Sequence, residues 1–338
     1  MILSFIRSTL AQAQPHHPLA APAKKWRTLT GGQPSIIARG GYSGLFPDSS
    51  SSAFQFATST SLPSVILLCD LQFTKDAQGI CLSSLQLDNA TTIQDAYPNS
   101  RKTYNVNGQQ TTGWFALDFT FDQLYKDAPL TQNIFSRPNA FDAMEPITAL
   151  EDVASDVASA KNPRIWLNVQ FHSFYVQQRI NPLMYLDKVL RILPINFISS
   201  PEIGFLRAVK PKVMIGKTKL IFRFESKDSL EPTTKQTYGS LVNKLLTVKG
   251  FASGILVPKD YIWPVGNDMY LQPATTLVAD AHKLGLEIYA YNFANDYPTS
   301  YNYSFDPTNE YLQFIDNNQF CIDGMFTDFP STASEAIG

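Results

Sequence analysis

An α/β barrel of eight strand–helix units is the fold this sequence predicts, on three observations. Past residue 33, short apolar runs rich in β-branched residues alternate with stretches of helical period, as repeated βα units around a parallel sheet should. The runs number eight, and eight such units fit about 300 residues of a (β/α)8 barrel. No linker-like, low-complexity break divides them, so one domain over 26–335 accounts for the body of the chain.

In chain order the predicted strands are Ser35–Arg39, Val65–Phe73, Arg164–Phe171, Asn196–Ser200, Lys219–Phe224, Gly254–Pro258, Glu287–Phe293 and Gly324–Thr327. Helical pattern follows most of them, over Ser52–Thr58, Pro182–Leu193, Glu202–Val209, Gln236–Val248, Ala274–Leu284 and Asn309–Asn317. Gly285 after AHKL is the stop a helix C-terminus wants, and it leads straight into the strand EIYAYNF. The segment 79–139 breaks the alternation. It is polar, turn-rich and too long for a βα loop, and is expected to form an inserted excursion over one barrel face.

Composition narrows the function classes. Lys and Arg number 27 against 29 Asp and Glu, a formal charge of −2 that offers nucleic acid no electrostatic footprint. No segment approaches 18 uninterrupted apolar residues, so no membrane span is expected. The start MILSFIRSTLAQAQ reads as a weak or damaged secretory signal with a disordered leader to about Lys25. Two sequons, at Asn89 and Asn302, matter only on a secretory route. Cys69 and Cys81 lie inside apolar runs and read as small buried hydrophobes, one disulfide staying open if the chain is secreted. Of four histidines, His16 and His17 lie in the leader, which leaves His172 and His282 for any imidazole chemistry in the body.

In a barrel of this kind, chemistry sits at the C-terminal ends of the strands. Those positions hold Arg39, Asp70, Gln72, Gln170, His172, Ser200, Glu202, Arg223, Glu225, Lys259, Asp260, Asn292, Asn295 and Asp328, a polar mouth of mixed charge. His282, on the helix VADAHKLGL, is away from those ends and reads as an interfacial or surface histidine.

The blocks IIARGGYSGLFPDSSSSAFQFA, CDLQFTKD, WLNVQF, FISSPEIGF, ADAHKLGLEIYAYNFAND and IDGMFTDFP resemble, in order, the motif blocks of the glycerophosphodiester phosphodiesterase family. ARGGYSGLFPDSS, NIFSRP, VPKDYIWP and DGMFTDFP are similar to the N-terminal domain of its plant glycerophosphodiester phosphodiesterase-like branch. The resemblance implies a TIM barrel of the phospholipase-C-like phosphodiesterase type. It also implies a reaction, hydrolysis of a glycerophosphodiester to an alcohol and glycerol 3-phosphate with calcium or magnesium.

Carried over residue by residue, the same resemblance shows gaps. The family's His-Arg-Gly reads Ala38-Arg39-Gly40, keeping the phosphate-binding arginine and losing the histidine. Its Glu-x-Asp reads Leu68-Cys69-Asp70, its second histidine falls on Ser83, and the Glu and Lys of Asn-x-Glu-x-Lys read Gln170 and His172. A hard cation wants about six oxygen ligands, several of them anionic, so Asp70 with Gln170 would make a weak metal site at most. Serine cannot shuttle a proton near neutrality as imidazole can.

Two functions follow as expectations. In the first, a family barrel with a depleted site recognises a small phosphodiester, another anion or a cell-wall glycan through Arg39, His172, Lys259, Trp263 and Tyr291, with Tyr261 beside them. In the second, an active metal-dependent phosphodiesterase uses Asp70, Gln170 and Glu225 or another strand-end carboxylate in a rearranged metal site. Arg39 and Asp70 simply pairing at the rim is the structural alternative to a binding pocket. The resemblance also implies a secreted, cell-surface or apoplastic location; with no second barrel or anchoring tail after Gly338, the chain is expected to be a soluble, shortened relative.

Overall fold

A computed structural model describes residues 26–338 apart from 133, 159–163, 214–216 and 298–299, and the expected leader over 1–25 lies outside the described residues. Its strands, in chain order, are β1 (Ser35–Arg39), β2 (Ile66–Phe73), β3 (Gly79–Cys81), β4 (Lys102–Val106), β5 (Gln109–Gly113), β6 (Ile165–Asn168), β7 (Ile195–Ser200), β8 (Lys219–Arg223), β9 (Gly254–Pro258), β10 (Glu287–Phe293) and β11 (Gly324–Thr327). β1, β2 and β6 to β11 pair in parallel in that order, and β11 returns to β1, which closes the barrel.

Strands buried on both faces read as continuous apolar runs, which is why all eight are visible in the sequence. Side chains alternate inward and outward along each strand. Ile37, Leu68, Trp166, Phe197, Ile221, Leu256, Tyr289 and Phe326 form the apolar plug inside the barrel. There Trp166 stacks on Phe197 at 4.4 Å and meets Tyr289 and Phe326 edge-on. The intervening residues, among them Ile36, Ala38, Leu67 and Cys69, face the helices in a second, larger cluster.

Two predicted elements differ. The strand expected over Arg164–Phe171 stops at Asn168; Phe171 leaves the extended region and a short helix opens at His172. The helix expected over Gln236–Val248 is broken into Tyr238–Leu241, a 3-10 turn Val242–Lys244 and Leu245–Lys249. Ser240, Asn243 and Thr247 are weak helix formers along that run.

The excursion has its own apolar core, built from Ile80, Leu82, Leu87, Ile93, Ala116, Phe119, Leu124, Leu130 and Ile147. It reaches beyond residue 139, since Ile80 pairs with Ala149 at its base. β3 folds back antiparallel on β2, with Leu71 opposite Cys81. That pairing brings Cys81 to the outer face of β2, and Cys69 and Cys81 form a disulfide with Cα atoms 5.0 Å apart. The expectation that both are only apolar filler is corrected; the antiparallel return of β3 is the geometry a run of residues does not display.

Candidate functional site

At the C-terminal end of the barrel the inward alternation places Arg39, Asp70, Asn168, Ser199, Arg223, Tyr291 and Asp328 above the apolar plug. Arg39, Asp70, Arg223, Tyr291 and Asp328 border a cavity of about 1220 Å³, together with Ser83, Arg137 and Gln170, while Asn168 and Ser199 lie buried beneath it.

On the β1–β11 side, arginines meet carboxylates edge to edge. Arg39 donates through Nε and Nη2 to the two oxygens of Asp328, at 2.6 and 2.9 Å, and through Nη1 to Asp48 at 2.9 Å. Gly40 and Gly41 both have positive φ, and a Cβ on Gly40 would lie 2.0 Å from Asp48 Oδ1, so glycine is what lets Asp48 reach Arg39. Arg137 arrives from the excursion. It donates to Asp296 through Nε and Nη2, to Asp328 Oδ2 at 2.7 Å and to the Ser43 carbonyl at 3.2 Å. Burial pushes the Asp328 carboxyl up, but Arg39 and Arg137 outweigh it and hold the group below the usual carboxylate range.

The β2–β6–β8 side is built differently. Trp166 Nε1 donates to Ser199 Oγ at 2.8 Å, and Ser199 Oγ donates to Asn168 Oδ1 at 2.8 Å. An indole nitrogen can only donate, so the serine passes its own hydrogen on and the asparagine oxygen must accept. The Asn168 NH2 is thereby aimed at Asp70 Oδ1, 2.5 Å away, and Gln170 Nε2 donates to the same oxygen at 2.9 Å. Burial pushes the Asp70 carboxyl up; Arg223, the largest opposing charge, and the Asn168 bond offset this only in part.

This arrangement does not fit a calcium or magnesium ion. Among the described residues no three His, Cys, Asp or Glu side chains converge as ligands. Beside Asp70 stand Leu68, with no lone pair, and two amide NH2 groups that point hydrogen, not oxygen, at the carboxylate. Arg39 and Asp70 do not form the rim pair considered from the sequence, because Asp328 and Asp48 take the arginine's edges.

Other predicted residues divide between the cavity and the core. Lys259, Tyr261, Trp263 and Tyr291 line the cavity. Lys259 is committed, its buried Nζ lying 2.6 Å from Glu310 Oε1, and burial lowers its pKa despite that partner. The hydroxyls of Tyr261 and Tyr291 donate to the carbonyls of Glu225 and Phe224, each at 2.8 Å, and fix the chain just after β8. The indole N–H of Trp263 is buried and has no hydrogen-bond partner among the described residues. His172 does not line the cavity. It packs on Phe205 at 5.1 Å, its Nδ1 buried with no hydrogen-bond partner among the described residues, and burial lowers its pKa. Ala38 is fully buried and faces the helices, so only Arg39 of that motif points into the mouth. His282 pairs with Asp323 at 2.8 Å, at the opposite end of β11 from Asp328.

Sequence reasoning missed Arg137, Asp48 and Asp296 altogether, and named Asn168 only within a motif. Arg137 and Asp48 lie in the quoted blocks NIFSRP and GLFPDSS, where a charged residue inside an apolar or turn-rich stretch was the available signal.

The model of the glycerophosphoryl diester phosphodiesterase family matches residues 40–332. Glycerophosphodiester phosphodiesterase GDPDL7 of Arabidopsis thaliana is 53% identical over 331 residues, covering 97% of this chain but 44% of that protein. The chain thus spans less than half the length of this relative. Among solved structures, a glycerophosphoryl diester phosphodiesterase of Parabacteroides distasonis superposes with a TM-score of 0.57 at 14% identity, covering 92% of this chain and 88% of that one. A phosphodiesterase of Oleispira antarctica, in complex with the product sn-glycerol-3-phosphate, gives 0.52 at 13%, covering 91% and 98%. At such identities the likeness shows the barrel alone, whereas the family match and the plant relative together establish that the chain belongs to the glycerophosphoryl diester phosphodiesterase family.

Proposed function

We propose that this barrel binds a small phosphate ester of the glycerophosphodiester class and does not hydrolyse it by the metal-assisted acid–base route. The observation that carries the reading is the state of Asp70, whose Oδ1 accepts hydrogen bonds from Asn168 and Gln170. A carboxylate held in this way, in a cavity also lined by Leu68 and Ser83, has among the described residues no partner ligands and no imidazole lining the same cavity. Loss of general acid–base catalysis alone forfeits on the order of 10² to 10⁴ in rate. The ligand class is carried over from the printed product of the Oleispira antarctica enzyme and from the family match.

A recognition role outside the cytosol is part of the proposal. It is supported by the Cys69–Cys81 disulfide, a bond that persists in oxidising compartments, and by the exposure of both sequon asparagines. A cell-wall glycan remains a candidate ligand on the same terms.

The test is to incubate the protein with glycerophosphocholine and calcium or magnesium and to follow glycerol 3-phosphate. Release no faster than in buffer is expected. Turnover that disappears in Asp70→Ala would instead establish the active, rearranged site.

A further inference from the structure

Three arginines face the mouth, and they differ in how much of each is left to offer. Arg39 meets Asp328 and Asp48, and Arg137 meets Asp296, Asp328 and a carbonyl, so most of their donors are taken. Arg223 stands apart. It follows Ile221 of the inner plug by two residues, so it points inward, and it lines the cavity with Asp70. Its guanidinium lies over the Tyr291 ring, 4.7 Å from the centroid, which fixes its plane. Glu225 Oε1 is 2.8 Å from its Nε, close enough for ion pairing, yet out of line with the N–H: Nε is buried with no hydrogen-bond partner, and so is that oxygen. Both this nitrogen and Trp263 Nε1 are shielded from the cavity that their residues line, so what Arg223 can offer a ligand is the pair of NH2 groups at the outer end of its guanidinium. An acceptor-rich ligand in the cavity would meet those NH2 groups.

We propose that Arg223 supplies, as a protein-borne guanidinium, the positive charge that a divalent ion brings to this mouth in metal-dependent relatives, so that the cavity takes a phosphate-bearing ligand without metal. The inference rests on the ligand class proposed above. A planar guanidinium offers paired donors that match two phosphate oxygens, and it is always charged. It also repels a divalent ion that would approach Asp70, the carboxylate whose charge already acts on it. Asp70 then opposes the incoming anion instead of helping to hold it, the reverse of its part in a metal site.

Calorimetric titration of the whole chain with sn-glycerol 3-phosphate and with inorganic phosphate, in EDTA and again in calcium, tests this. Affinities within about twofold of each other in the two buffers are expected, with a loss of about tenfold or more in Arg223→Gln and a gain of about threefold or more in Asp70→Asn. Arg223→Lys keeps the charge but not the fork, so an intermediate affinity in EDTA at unchanged melting temperature is expected, and it carries the test if the glutamine variant does not fold. Binding that requires calcium and vanishes in Asp70→Asn would overturn the role given to Arg223 while leaving the ligand class intact. Affinity unchanged in a folded Arg223→Gln would do the same. No heat from either probe in either buffer would overturn both.

Discussion

Two aspartates, Asp70 and Asp328, end neighbouring regions of one barrel mouth, and their carboxyls shift in opposite directions. Asp328 is gripped by Arg39 and Arg137 and held below the ordinary range. Asp70 is hydrogen-bonded by neutral amides, with Arg223 the largest opposing charge, and burial pushes it up. Both are buried to a similar degree, so desolvation is not the difference. What differs is whether formal charge or neutral dipoles face the carboxylate. One side of the mouth is a closed electrostatic structure; the other retains an unsettled charge, which is what a binding surface needs.

Removing Arg137 should have the largest effect, because its side chain is 3% exposed and its loss takes the ion-pair partner from Asp296 and leaves Asp328 to Arg39 alone. Arg137→Ala is expected to cost about 3–5 kcal/mol in urea unfolding, whereas Arg223→Gln, across the mouth, should cost far less. If the two cost the same, the contrast fails. The Asp70 side is held instead by a covalent tie, and Cys69→Ala with Cys81→Ala should lose about 3 kcal/mol by the loop-closure argument, read in the same assay. Ala38→His, which would restore the family's motif on paper, is expected to lower stability by about 1–3 kcal/mol through overpacking and to release no glycerol 3-phosphate from glycerophosphocholine.

The smallest effects are in pH dependence. A carboxyl raised by folding destabilises the folded state as pH climbs from its unfolded value, near 3.8, through the higher folded one. Asp70→Asn should therefore match the parent in strong acid and exceed it toward neutrality. Asp328→Asn should do the reverse: less stable than the parent near neutrality, with the gap closing as pH falls through the lowered folded value. Stability curves from pH 2 to 8 check both signs.

The barrel was legible because parallel strands covered on both faces leave apolar runs that composition and period both mark. The mouth was only partly so. Period two already implied that Ala38 and Arg39 could not both face inward, and the structure sends Ala38 to the helices. His172 was misplaced because the turn at Phe171 ends the strand early and gives the histidine to a helix. Arg137 carried a signal in its own block, but its partners did not show. It reaches Asp328 from an excursion whose path over the barrel depends on its own core, and pairing across such distances in sequence leaves no local pattern.

The Cys69–Cys81 bond closes a small covalent ring, and Asp70 and Gln72 are members of that ring. Ser83 leaves it two residues past the crosslink and goes directly to the cavity wall. Packing alone would let the excursion breathe away from the barrel and carry that wall with it. With the ring closed, the wall residue Ser83 is tied to the floor residue Asp70 through a short path of covalent bonds, and local opening elsewhere in the excursion leaves that tie in place.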